Sequence, residues 1–119
     1  MLVHATSWPA WRRPNPAQPV DILLIDWTKR KIVRRLGQTT SWNWQQGARA
    51  HWVLGQYVIY NVFDEVRQCY RAAVVDPQSG SRDLLPIAVQ ETDVRGTVYS
   101  LSYEALSVLR PDYGYRNKE

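Results

Sequence analysis

From Val20 onward the chain alternates short apolar bursts with clusters of turn-forming residues, and no segment sustains a helical period long enough to compete. DILLID at 21–26 and KIVRRL at 31–36 flank a four-residue connection, Trp27 to Arg30, with Asp26 placed to accept backbone N–H bonds at the turn. RAHWV and QYVIYNV flank Leu54-Gly55. CYRAAVVD runs into Pro77-Gln78-Ser79-Gly80 and emerges as SRDLLPI, where proline pre-sets φ and glycine accepts a positive φ. A last pair, AVQETDV and TVYSLSY, surrounds Arg95-Gly96, with Val98, Ser100 and Ser102 assigned to one face and Tyr99, Leu101 and Tyr103 to the other. One short helix is expected over 103–110, YEALSVLR, ended by Pro111. The pattern is that of an all-β protein of about six to eight antiparallel strands.

Residues 1–19 hold prolines at 9, 14, 16 and 19 and are read as an extended arm, with ordered structure expected from about Val20 and the remaining domain over 20–119. Within that domain a repeat is visible. ILLID-WTKRK-IVRRL at 22–36 parallels AAVVD-PQSGS-RDLLP at 72–86, so that Asp26 and Asp76 stand 50 positions apart. Each copy is followed by a further hairpin. About four antiparallel strands per period is the content of a β-propeller blade, and 119 residues hold about two such blade-like units, a partial β-propeller and a fragment of something longer. Open sheet edges in such a fragment favour self-association.

Composition alters this picture in three places. Six Trp and seven Tyr against one Phe make the aromatic set almost wholly amphipathic, rings with a polar handle that needs a partner. The net charge of +4 is local: residues 1–36 carry seven basic and two acidic groups, residues 37–119 eight and nine. The basic run Lys29, Arg30, Lys31, Arg34 and Arg35 is read as a solvated strand face, and nucleic acid is not expected as a partner. Cys69 is the only cysteine, which excludes an intrachain disulfide and a thiolate metal cluster. The longest apolar run is ILLI at 22–25, far short of a bilayer span, and the first twenty residues lack a signal-peptide core, so a cytoplasmic location is expected.

Three groups of residues have the chemistry to bind something. Trp42, Asn43, Trp44, Gln45 and Gln46 combine flat indoles with amides, the pairing that stacks on sugar rings and bonds their hydroxyls; the competing and favoured reading has the tryptophans plugging the gap between blades. His51 lies near Gln45 and Gln46, but with His4 as the only other histidine a metal site lacks ligands, and a packed strand histidine is the simpler reading. Arg110, Tyr113 and Tyr115 fit either an anion-reading loop or a rigid crossover; with no next blade to cover them, both tyrosines are expected to be exposed. No P-loop, nucleophile elbow or dinucleotide fingerprint occurs, and no catalytic residue, metal or cofactor is assigned.

The stretches SWNWQQGARAHWV, YVIYN and LPIAVQETDVRGTVYSLSYEALSVLRPDYGY resemble a family of uncharacterised bacterial propellers, TolB-like or WD40-like in blade pattern, often encoded beside genes for sugar transfer or surface polysaccharide. The resemblance spans about Asp21 to Tyr115. It rests on Trp-Asn-Trp-Gln-Gln-Gly at 42–47, Tyr60-Asn61 and Arg-Pro-x-Tyr-Gly-Tyr at 110–115, and departs where Val62 and Ser102 replace an acid and an Asn. It implies the N-terminal part of a propeller acting as a non-catalytic binding or scaffold module, with a saccharide or a protein as partner. The alternative it implies is a fragment of a carbohydrate-active propeller, such as a lyase acting on oligogalacturonides.

Overall fold

The computed structural model describes residues 1–8, 15 and 18–117. Among these residues nine strands and one helix follow in order: β1 (Leu2–Ala5), β2 (Val20–Asp26), β3 (Lys31–Thr39), β4 (His51–Val53), β5 (Tyr57–Asp64), β6 (Cys69–Val75), β7 (Arg82–Leu84), β8 (Glu91–Thr92), β9 (Val98–Tyr99) and α1 (Tyr103–Leu109). All pairings are antiparallel, so the chain is all-β in class, as its pattern predicts. The strands form a three-stranded sheet β1-β2-β3, a four-stranded meander β4-β5-β6-β7 and the pair β8-β9, and none of these sheets closes on itself.

Order begins earlier than Val20. Leu2–Ala5 lies along β2 with Val3 opposite Leu23 and His4 opposite Ile22, so the start of the arm is an edge strand. The proline-dense stretch at 9–14 and 16–17 lies outside the described residues. The four-stranded unit is also framed differently from the repeat. It opens with the β4-β5 hairpin and closes with the second repeat copy, β6-β7, whereas the first copy, β2-β3, takes its third strand from the N-terminus. The alternation assigned to 98–103 stops at Tyr99. Ser102 instead caps α1, its hydroxyl accepting from Ala105 N, and Tyr103 is buried in the first turn of the helix.

The meander is the middle of three layers. On β5, Val58, Tyr60 and Val62 face Val20, Ile22 and Leu36 of the first sheet, together with Ala73 and Val75 of β6. The opposite faces of the same strands, Ile59 and Ala72, pack on Val89, with Leu85 and Val98 beside them, while Tyr70 meets Ala88, Tyr103 and Tyr115. Because side chains alternate along a strand, this split places the first sheet and the β8-β9-α1 layer on opposite sides of the meander. Residues 58–62 are all buried, the mark of a strand covered on both faces.

One close approach fixes this stacking. Tyr60 reaches under Gly37 so tightly that a Cβ there would lie 2.0 Å from the phenol oxygen, so only glycine fits. Among the described residues the Tyr60 hydroxyl is buried with no hydrogen-bond partner. Every hairpin among the described residues but β4-β5 is held by a shared device, an aspartate at the end of the first strand whose carboxylate accepts turn N–H groups. Asp26 bonds Thr28 N and Lys29 N, Asp64 bonds Val66 N and Arg67 N, Asp76 bonds Gln78 N and Ser79 N, and Asp93 bonds Arg95 N and Thr97 N. These bonds hold all four carboxyls below the usual aspartate value. For Asp26 the Thr28 hydroxyl contributes most; for the others the leading cause is a backbone N–H, of Arg67, Gln78 and Thr97 respectively.

A carboxyl depressed in the fold stabilises it fully above the unfolded value of 3.8, and that contribution disappears as pH falls through the lower folded values. Thermal melts followed by circular dichroism should therefore show a steep loss of Tm below pH 3.8, and Asp64→Asn with Asp76→Asn, which keep an accepting oxygen but do not titrate, should flatten that limb. An equally steep limb in the double variant would contradict the assignment. Tyr60→Phe removes a buried hydroxyl that bonds nothing and should stabilise by about 1 kcal/mol in urea unfolding; a loss of stability would show that the hydroxyl is in fact satisfied.

Candidate functional site

Two of the sequence-selected groups, remote along the chain, meet in space. Asn43 closes a tight loop over 43–47. Its carboxamide oxygen accepts from Gln45 N and Gln46 N, and its main chain bridges Gly47. Gly47 sits at φ +59° with its α-carbon against the His4 ring, where a Cβ would come within 2.7 Å of the imidazole. That contact docks the N-terminal strand on the loop: Ala48 N–H donates to His4 Nε2 at 3.1 Å. A backbone N–H needs a lone pair to meet it, so this nitrogen is unprotonated; desolvation of the ring lowers the His4 pKa in keeping with that state.

The segment after α1 returns to the same loop. The Tyr113 carbonyl accepts from Asn43 Nδ2 at 2.7 Å and from Gln46 Nε2 at 2.8 Å. Asn117 bonds Ser41 Oγ and Thr40 Oγ1. Between the two segments lies a small cleft of about 140 Å³ lined by Trp42, Asn43, Trp44, Gln45, Pro111, Asp112, Gly114 and Arg116.

The tryptophans divide their roles. Trp42 is buried, its indole N–H donating to Gln18 O, and it belongs to the core between the first sheet and the meander. In this it acts as the packing wedge that the sequence favours. Trp44 is 49% exposed at the cleft and is held edge-on by Trp42 (centroids 5.0 Å, 84°) and by Trp8 (5.9 Å, 67°). The result is one indole presented to solvent on a rigid aromatic base.

The other candidates are engaged elsewhere. Tyr115 is 1% exposed, not solvent-facing as expected, because the third layer already covers it: its ring stacks on Tyr103 at 4.6 Å and 4°, and its hydroxyl accepts from Asn61 Nδ2. Burial pushes its phenol well above the usual tyrosine range. Tyr113 is exposed, and Arg110 lies over its ring at 4.6 Å while gripping Asp112 through Nε and Nη2, so the fork that would read an anion is occupied by a neighbouring carboxylate. His51 donates from Nδ1 to the Arg49 carbonyl and bonds Thr92 Oγ1 through Nε2, which ties β4 to β8. Among the described residues no three His, Cys, Asp or Glu side chains lie together as a metal site, and no helix is long and apolar enough to cross a membrane.

Asp112 and Arg116 line the cleft without having been singled out in sequence, and Trp8 braces Trp44 from behind. Trp8 lies 34 positions from Trp42 among prolines, and no local pattern announces its partner. Asn61 enters the sequence reading only within the resemblance, with no role assigned to it. Fully buried, it accepts from Val89 N and donates to Val89 O and the Tyr115 hydroxyl, while its main chain bonds Ala48 and Thr39. A buried asparagine inside an apolar burst has no sequence signature that separates a hub from an edge position.

Asn61→Ala strands Val89 N–H in a dry interior, at a cost of about 1–3 kcal/mol, while Val89 O keeps the Tyr103 hydroxyl as a donor. The expected loss in denaturant unfolding is therefore about 1–3 kcal/mol, and a smaller loss would show that water replaces the amide. Comparison of the chain with protein-family models, with curated proteins and with solved structures found no match.

Proposed function

We propose that the chain is a non-catalytic binding module, a partial β-propeller of blade-like sheets, and that it presents the Trp44 cleft to a saccharide. The reading is supported by one arrangement above all: an indole braced by two other tryptophans, beside a cleft of about 140 Å³ that Gln45, Asp112 and Arg116 also line, the Asp112 carboxylate being paired with Arg110. Sugar rings have apolar C–H faces and polar edges, and such a site answers both. The cleft is well below the roughly 300 Å³ at which drug-sized ligands are enclosed. It therefore suits a single ring, or one residue of a polymer, gripped at a surface. The stacked antiparallel layers support the blade-like description, and the link to surface polysaccharide follows from the resemblance at 42–47, 60–61 and 110–115.

The alternative, part of a carbohydrate-active lyase, needs His51 to offer a ring nitrogen to a metal or a substrate. Both of its nitrogens are already hydrogen-bonded, which favours the binding module.

A one-ring site of this kind should bind with Kd on the order of 1 mM. Titration of neutral and uronic-acid mono- and disaccharides, followed by the indole N–H resonances, should shift the Trp44 signal saturably. Trp44→Ala should abolish binding with the fold intact, while Trp52→Ala, another exposed indole outside the cleft, should leave it unchanged. The absence of a saturable shift with any of these sugars, or equal binding by Trp44→Ala, would overturn the reading.

A further inference from the structure

The β2-β3 hairpin ends in an exposed apolar tip. Leu24 stands opposite Arg34 and Ile25 opposite Ile32, so Val33 is an extra residue on β3, a bulge just short of the turn. Arg34 is bonded to the Pro77 and Gln78 carbonyls of the β6-β7 turn and ties the hairpin to the meander there. Beyond that tie the chain from 27 to 33 is exposed throughout, with Trp27 at 71%, Ile32 at 61% and Val33 at 57%. Ile25, Trp27 and Ile32 line, with Arg30 and Lys31, an open groove of about 420 Å³. Single apolar side chains in water are ordinary on a protein surface. An indole and two β-branched chains gathered at one tip mark a place of contact.

The free charge around this tip is positive. Its one acid, Asp26, has its carboxylate taken up by Thr28 N, Thr28 Oγ1 and Lys29 N, with the Lys29 ammonium 3.9 Å away. Asp21, at the other end of β2, is paired with Arg35. Asp76, next to the Pro77 carbonyl that Arg34 reaches, is bound in the same way by Gln78 N and Ser79 N. Arg30 and Lys31 have no acidic partner among the described residues, and both border the groove.

We infer that the tip docks on an anionic lipid surface. Trp27 and Ile32 enter the headgroup region with Val33 beside them, and Arg30 and Lys31 meet the lipid phosphates. Indole rings favour that level of a bilayer, where one side is apolar and the other wet. Arginine and lysine suit it too, because their stems cover apolar surface while their charges stay among the headgroups. A nucleic acid would need a track of cations and rings on which bases stack, whereas this tip has one ring, aliphatic neighbours and two unpaired cations. The contact lies in the interface and is reversible, since each cation near the surface adds only a modest, salt-screened attraction. It rests on the hairpin alone and is independent of the Trp44 cleft.

Co-sedimentation of the full chain with vesicles of phosphatidylcholine, with and without phosphatidylserine, tests it. The wild type should bind the mixed vesicles at least about tenfold more tightly than the neutral ones, and the difference should shrink as salt is raised. Trp27→Ser should weaken binding to the mixed vesicles about tenfold. Arg30→Ala with Lys31→Ala should weaken it about 30-fold and leave binding to neutral vesicles unchanged. All three positions lie on the exposed hairpin, and circular dichroism checks that each variant keeps the fold; the double variant carries the test alone should Trp27→Ser perturb it. Lipids brominated near the headgroup should quench the wild type more than Trp27→Ser. No binding to either vesicle would overturn the inference, as would binding that both variants leave intact. So would binding lost in the double variant and kept in Trp27→Ser, which is charge without insertion. Trp27 fluorescence that responds to an oligonucleotide, or to protein concentration alone, and not to vesicles would overturn it in favour of a nucleic acid or a second copy of the chain.

Discussion

The structure depends on a single buried amide. The Asn61 side chain reaches from the middle of β5 to the main chain of Val89 and to the Tyr115 hydroxyl, while its own backbone binds Ala48 and Thr39. Every polar group it touches is otherwise in a dry interior, where a hydrogen bond is strong and a missing one is expensive. Apolar packing alone would let the third layer slide on the meander, because Ile59, Ala72 and Val89 offer no directional contact. The amide supplies that direction at the centre, with the His51 bond to Thr92 and the Arg49 bond to Gln90 O holding the edge. It fixes where Val89 sits, hence where the Tyr103-Tyr115 stack sits, hence where the chain turns back toward the 43–47 loop.

Much of this architecture was legible in the chain, and the reasons differ from element to element. The hairpins were readable because their signals are local: an apolar burst, an aspartate, a turn residue with positive φ. Asp26 and Asp76 announced two of them, and Asp64 and Asp93 turn out to do the same at two others. The short helix was readable from Pro111 and its apolar spacing. The strand Leu2–Ala5 was not, because Pro9, Pro14, Pro16 and Pro19 argue against regular structure and the pairing partner of Leu2 is 22 positions away. The division into sheets was hidden too. A repeat records which hairpins are alike and does not say which edge each will join.

The site was half readable for the same reason. Trp42–Gln46 and Arg110–Tyr115 stood out by composition, yet nothing in either says that Tyr113 O will accept from Asn43 and Gln46. Their meeting is a product of the layered stack. Once the third layer is placed, Tyr115 is drawn inward, Tyr113 is left outside, and Trp44 is left facing the gap between the two segments. Among the described residues, six of the Trp and Tyr rings form two working groups. Trp8, Trp42 and Trp44 brace the cleft, and Tyr70, Tyr103 and Tyr115, with Phe63, seal the third layer.

The bonds from Asn117 to Thr40 and Ser41, and from Asn43 and Gln46 to the Tyr113 carbonyl, join positions 67 to 77 residues apart. Contacts of such long range form late, since the intervening chain must first give up its freedom. On a ribosome the first sheet and the meander have all their strands before residue 90 has emerged, whereas the cleft has only one wall. The second wall of the cleft is thus added only after the β core has its strands. A chain arrested before residue 113 would carry an almost complete β core and an exposed Trp44 with nothing opposite it.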